Sequence, residues 1–314
     1  MAGESFHNCS QYLRIPDNSM TSRRYRTDFF QSIWVSVSLY CLLALLFCCA
    51  GLCAGSSGAF ITRQPWRGRL GDHLLSYIGT KALARRYNLH YLYTPFISSD
   101  QFVLHDEELC PEPHHEHFDR VILLRSVQQL ERSEAHRKRE GGRVLYIAAP
   151  HLRYEGELRG KFREEMRRLI APRGQLASID MPHDAVTIAL HIRTGGDHPP
   201  DKRARVRKKS AHKFSRISSA IGVLQRLVPR VARKKVYIHI FTDDSNPARL
   251  AQHVASHLDN PDVEIGYRRE GNHYDANVLE DLFGMMQCDY LIRTQSCFSA
   301  VAALLGRHKK VFIY

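Results

Sequence analysis

Apolar positions divide the chain into stretches of different period. Between Phe29 and Thr62 there is no charged residue, and Ile33–Ala54 is almost continuously apolar. Its 22 residues are enough, as a helix, to cross a hydrocarbon core of about 30 Å. A cleaved signal peptide has a shorter core that starts nearer the N-terminus, so an uncleaved anchor is expected, with a buried soluble helix as the alternative.

Beyond Gln64 the apolar residues recur with helical and strand periods in alternation. Asp72 is placed to cap a helix whose apolar face is Leu74, Leu75, Ile78, Ala82 and Leu83. Strands are predicted at His90–Tyr93, Val121–Leu124 and Arg143–Ala148, and helices over Ser126–Glu140 and Glu155–Ile170. Ala171–His183, with Pro172, Gly174 and Pro182, has the punctuation of a linker. From Val186 the alternation is more regular. The strand that opens Val186–Asp197 and those at Lys235–Phe241, Val263–Tyr267, Asp289–Thr294 and Lys310–Tyr314 are separated by helices over Ile217–Leu227, Pro247–Leu258, Asn277–Met286 and Cys297–Leu305. Asp243 and Asp244 are read as capping the Pro247–Leu258 helix. This spacing predicts an α/β protein with parallel, doubly wound sheets.

The expected organisation is a tail (1–31), a single transmembrane helix (32–54), a stem containing Gly55–Gly58 (55–63), a first α/β domain (64–180) and a second (181–314). Arginines flank both sides of the apolar run. Those before it lie in a short tail, whereas those after it open a large domain, which favours a type II orientation.

Composition adds a net charge of +13, which suits an anionic partner without naming one. Lys202–Arg216 carries eight cations and no acid. With Phe214 as its one aromatic it reads as a solvated loop, and nucleic acid is not an expected partner. Four of the eight cysteines lie in the apolar run and none makes a CxxC pair, so neither a cysteine zinc site nor a disulfide framework is expected. His114, His115 and His117 sit in a loop-like segment that offers no frame for a metal.

Chemistry concentrates at VTIALHIRTGGD, Val186–Asp197. A buried parallel strand that ends in His191, Arg193 and two glycines puts a cationic fork and close-approach backbone at the end of the sheet where ligands bind. The ends of neighbouring strands add Thr242–Asp244 and Thr294–Ser296. The turn at Arg67–Gly71 places a helix N-terminus beside two arginines, Arg67 and Arg69, which reads either as simple capping of the helix or as a second anion site. There is no GxxxxGK[ST], GxGxxG or GxSxG motif, which leaves P-loop, dinucleotide and nucleophile-elbow chemistry unsupported.

These segments resemble a family. GRLGDHLLSYIGTKALA at Gly68–Ala84 is similar to the GRLGNQ-type loop and helix of α1,2-fucosyltransferases, and HIRTGGD at His191–Asp197 to their HxRRGD signature. Val236–Leu250 and Glu280–Gly306 resemble later segments shared with α1,6- and protein O-fucosyltransferases. The resemblance implies a GT-B-like fold of two Rossmann-like domains, GDP-fucose as donor, a glycan or glycoprotein acceptor, inversion at the sugar carbon and no metal or other cofactor. With an anchor at Ile33–Ala54, it implies a Golgi membrane enzyme if the source is eukaryotic. By position, Arg193 would hold the diphosphate and stabilise the leaving group. His191 and Asp281 would contact the nucleotide, Asp243 and Asp244 would shape the donor pocket, and Ser296 would bond a phosphate oxygen. Arg69 and Gly71 would complete the donor side.

Four departures matter: Thr194 stands where the family has a second arginine, an extra glycine precedes Asp197, Asp72 replaces the usual asparagine, and Cys297 follows Ser296. Inverting transfer needs a base for the acceptor hydroxyl. Asp72 is a candidate, with Asp197 and Asp201 as rivals. The alternatives are a GT-B enzyme for another nucleotide sugar and a catalytically inactive binding protein in the membrane.

Overall fold

The structure is a computed structural model that describes residues 58–108, 118–150, 152, 159–177, 179–194, 217–231, 235–270 and 278–314. Gly55–Tyr314 is one compact unit. The expected anchor Ile33–Ala54, the histidine-rich segment, the basic run Lys202–Arg216 and Asp197 with its neighbours all lie outside the described residues. No described helix is long and apolar enough to cross a membrane.

Strand β1 is Ala59–Arg63, within the segment read as a stem. That reading is corrected: Ala59 and Ile61 are buried and the strand pairs along its whole length with β4, Val144–Ala148. With β2 (His90–Tyr91) and β3 (Arg120–Leu124) they form a four-stranded parallel sheet of order β2-β1-β4-β3. The second sheet has five parallel strands, β5 (Val186–Ile192), β6 (Val236–Thr242), β7 (Val263–Tyr267), β8 (Tyr290–Arg293) and β9 (Lys310–Ile313). Its order is β7-β6-β5-β8-β9. Every residue of β6 and all but Thr187 of β5 are buried, as parallel strands covered on both faces must be. The chain runs outward from β5 to β7, then returns to the other side of β5 for β8 and β9. The carboxyl ends of β5 and β8 therefore flank a topological switch point.

Helix α1, Leu70–Tyr87, does not begin at Asp72 as expected. Arg69 is its extended N-cap residue, and its carbonyl accepts from the amides of Asp72 and His73 at 2.9 and 3.1 Å. Leu70 is buried and is drawn into the helix by its apolar contacts, so Asp72 falls in the first turn, where a carboxylate complements the helix dipole. The helix ends at Asn88 in the left-handed conformation, which asparagine tolerates. A four-residue helix, α2 (Leu104–Glu107), follows. Ser126 caps α3 (Val127–Glu140) by accepting from the Gln129 amide at 3.1 Å. The remaining helices are α4 (Gly160–Leu169), α5 (Ile217–Val231), α6 (Pro247–Leu258), α7 (Val278–Gln287) and α8 (Cys297–Leu305). The cap of α6 is Asn246, which accepts from the Arg249 amide at 3.2 Å. Asp244 acts one step earlier, accepting from the Asn246 amide at 2.8 Å. The expected capping by Asp243 and Asp244 is corrected accordingly.

One apolar cluster joins the two sheets. It draws Leu74 and Ile78 from α1, Phe162 and Met166 from α4, Leu282 and Met285 from α7, and Val301 and Leu305 from α8. Arg167 of α4 adds polar ties, donating from Nε and Nη2 to the Leu305 and Gly306 carbonyls at 2.5 and 2.8 Å. The tightest point is Gly71, where an added Cβ would lie 2.5 Å from the Phe298 backbone of α8. Gly71→Ala is expected to destabilise the chain by about 1–3 kcal/mol, because backbone on both sides has to separate. Thermal unfolding monitored by circular dichroism should show a fall of several degrees; an unchanged midpoint would mean that the two helices separate without cost.

Candidate active site

A cavity of about 490 Å³ opens at the switch point, a size in the range of small-ligand sites. From the second sheet it takes His191 and Arg193 at the end of β5, Thr242 and Asp243 at the end of β6, and Ser296 at the entrance to α8. Asp281 reaches it from α7, and the opposite wall is Gly68–Asp72. The structure thus brings together Arg69, Gly71, Asp72, His191, Arg193, Asp243, Asp281 and Ser296. Asp244 is not on the lining, being turned to the Asn246 amide. Arg67 lines a neighbouring cavity instead.

Arg193 is positioned from behind. Its Nε lies 3.7 Å from an Asp243 carboxylate oxygen, and the other oxygen accepts from the amide and hydroxyl of Thr194 at 2.6 and 3.2 Å. Thr194 therefore works on the turn, holding the carboxylate that steadies Arg193, and is not the cation expected of the family pattern. Both Arg193 and Asp243 side chains are largely shielded, at 14% and 13% exposed, so their attraction is less screened than a surface pair.

His191 is 8% exposed, and its Nδ1 is buried with no hydrogen-bond partner among the described residues. Burial, then the Arg193 and Arg293 charges, bring its pKa down to about 3. The ring is neutral at physiological pH and offers the cavity a hydrogen-bonding nitrogen without a charge. Its backbone carbonyl is fixed by the Tyr314 hydroxyl, which donates at 2.9 Å.

Ser296, 3% exposed, precedes α8 and makes no capping bond with its side chain. The first amides of α8 thus sit at the cavity wall, where a helix N-terminus favours an anion. Arg293 donates from Nη1 to the Thr294 and Ser296 carbonyls at 2.9 and 3.2 Å and shapes this entrance. Arg293 was not singled out from sequence, although a cation at a strand end beside the switch point follows the rule that marked Arg193. Phe298 and Arg268 were also missed. Phe298 has no polar signature, and Arg268 follows β7, which is separated from β8 in the sheet by β6 and β5.

Asp281 accepts from Arg268 Nη2 at 2.8 Å and is 22% exposed. Burial raises its pKa from 3.8 to about 6, against the opposing pull of Arg268. Cys297 lines the cavity beside Ser296 and is not joined to Cys288 in a disulfide. Among the described residues no group of three His, Cys, Asp or Glu side chains is placed to hold a metal ion.

The raised Asp281 pKa sets a direction for stability with pH. The folded chain holds this proton more tightly than the unfolded chain, so the contribution is full below about 3.8 and is lost as pH rises through about 6. Asp281→Asn removes this titration. Its stability relative to the parent should increase between pH 4 and pH 7, by at most about 3 kcal/mol. Denaturant midpoints at the two pH values measure this, and a constant difference would show that Asp281 titrates alike in both states.

No family model matches the chain, and no curated protein matches it in sequence. Solved structures do match in shape. A mutant of Arabidopsis thaliana FUT1 in complex with GDP superposes with a TM-score of 0.52 at 13% identity, over 82% of this chain and 71% of that one. POFUT1 in complex with GDP-fucose gives 0.48 at 11% identity, over 83% and 98%. The α1,6-fucosyltransferase NodZ soaked with GDP-fucose gives 0.40 at 16% identity, over 79% and 92%. The paired parallel sheets around the switch-point cavity are therefore arranged in a fold similar to that of the FUT1 structure.

Proposed function

We propose that the chain is an inverting glycosyltransferase that moves fucose from GDP-fucose to a hydroxyl of a glycan or glycoprotein, with an α1,2 linkage as the first expectation. The observation that carries this reading is the meeting of Arg193, Arg69 and the N-terminus of α8 around one switch-point cavity. Those groups suit a diphosphate: a planar fork of donors, a second cation and the amide end of a helix. The FUT1 structure of the same fold holds GDP.

In this reading Arg193, held by Asp243, faces the bond between the sugar and the β-phosphate. The acceptor hydroxyl oxygen attacks the anomeric carbon from the face opposite GDP. As the new C–O bond forms, the bond to the phosphate oxygen breaks, and its electron pair leaves with GDP. Arg193 and the α8 amides stabilise that negative charge. The hydroxyl proton passes to Asp72, a carboxylate on the cavity wall. In the same reading His191, which is neutral, and Asp281 bond the nucleoside, and Ser296 a phosphate oxygen. No metal is assigned a role. Ile33–Ala54 would anchor the enzyme in type II orientation, with the Golgi as its compartment in a eukaryote.

A second reading is a chain that binds a nucleotide sugar without transferring it. It is favoured by the engagement of Thr194 with Asp243, which leaves one cation fewer than the family pattern.

GDP at a hundredfold excess over its Kd should stabilise the parent chain by about 2.7 kcal/mol, and Arg193→Ala should abolish the shift. A parent chain indifferent to GDP would rule out every GDP-sugar reading. Asp72→Asn should keep the GDP shift while transfer falls by about 10²–10⁴-fold. Transfer measured across GDP-sugars and an acceptor panel decides between the readings: retained turnover removes Asp72 as the base, and binding without turnover in the parent favours the second reading.

A further inference from the structure

A second cavity, of about 580 Å³, adjoins the first. The two share Gly68, Arg69, Asp72 and Ile97 as a common wall, so a group seated in the second reaches Asp72, whereas Arg193 lines only the first. Its own lining includes Arg63, Trp66, Arg67, His73 and Phe96.

Arg63 is the unusual member. It is 1% exposed, yet among the described residues no carboxylate pairs with it. Its guanidinium donates to the Thr94 and Pro95 carbonyls at 3.0 and 2.7 Å, reaches His73 Nδ1 at 3.1 Å, and lies 4.7 Å over the Phe96 ring. A guanidinium has no acceptor, so it is the donor to His73 Nδ1, and the His73 proton must sit on Nε2. That side of the ring is bonded to the Gly68 backbone, while burial and then the Arg63 charge lower its pKa. His73 is therefore a neutral strut between Arg63 and the Gly68–Asp72 loop.

The charge balance of the cavity follows. Arg63, Arg67 and Arg69 stand against a single carboxylate, Asp72. A neutral sugar is held by mixed donors and acceptors, with carboxylates and amides supplying the acceptors. Here cations predominate, and a buried charge lacking a carboxylate partner retains its field toward the cavity. Trp66 and Phe96 supply flat apolar walls of a kind that packs on a sugar ring.

We propose that this second cavity is the acceptor subsite, and that the acceptor it takes is a saccharide bearing a carboxylate or sulfate group. Arg67, exposed at the rim, contacts the anion, and Arg63 supplies charge from the floor and positions the loop through His73. The proposal rests on the glycosyltransferase reading for its purpose, though the anion site can be tested without turnover.

The chain has two tryptophans, Trp34 and Trp66, so the full-length Trp34→Phe variant reports on this cavity through Trp66 fluorescence. With GDP present to occupy the first cavity, glucuronate and glucose 6-sulfate are titrated against glucose. A saturable emission change with either anion is expected, with glucose at least tenfold weaker, and the better anion distinguishes carboxylate from sulfate. Arg67→Glu should weaken the anion response at least tenfold while GDP still raises the melting temperature, which shows that the variant is folded. An equal response to glucose, no response to either anion, or an anion response that survives Arg67→Glu overturns the proposal. If the anion response is present and GDP has no effect, the anionic site stands and the donor reading fails.

Discussion

The structure depends on how closely two helices approach. α1 and α8 meet backbone to backbone at Gly71 and Phe298, within an apolar cluster that takes residues from both sides of the molecule. This contact sets the width of the cavity between the Gly68–Asp72 loop and the end of the second sheet. Protein interiors are packed densely enough that a methylene's worth of extra volume has nowhere to go. The site is therefore built on packing first. Its charges are mounted on walls whose spacing is already fixed.

On that frame, polar groups are used in depth. Asp243 serves the turn after β5 and steadies Arg193 at once. His191 is buried and neutral between two cations, so the cavity gains a directional partner without a further positive charge. Asp281 occupies the intermediate position of a carboxyl raised by burial and restrained by an arginine. Burial, cation placement and helix ends together make an environment ordered for a negatively charged ligand before it arrives.

Much of this was legible in the sequence because parallel sheets write their function at strand ends. The apolar runs that open Val186–Asp197 and span Lys235–Phe241 are followed by chemistry-bearing residues, and the doubly wound pattern brings those ends together. The helix Cys297–Leu305 was bounded correctly because Ser296 and the apolar run after it leave little latitude. Local rules failed where tertiary packing took precedence. Asp72 had the right side chain to cap a helix, but burial of Leu70 started that helix earlier. The segment holding Arg63 looked like a stem because five residues of strand carry little pattern of their own. Its place became visible only through pairing with β4, whose Cα partners run from Val144 opposite Ala59 to Ala148 opposite Arg63, far along the chain.

Arg167 has a consequence for the modularity of the molecule. It lies on α4, among the elements that follow the first sheet, and its guanidinium closes the carbonyl end of α8. α8 is nine residues long, a rod of about 13 Å, and its other end faces the cavity. A cation on the carbonyl end stabilises a helix whose amide end is turned toward an anion. The electrostatic quality of the half that carries α8 is thus partly written in the other half. A chimera that exchanges the first half for that of a relative would inherit the cavity walls but not this pairing. The two halves have to be inherited, and engineered, as a matched set.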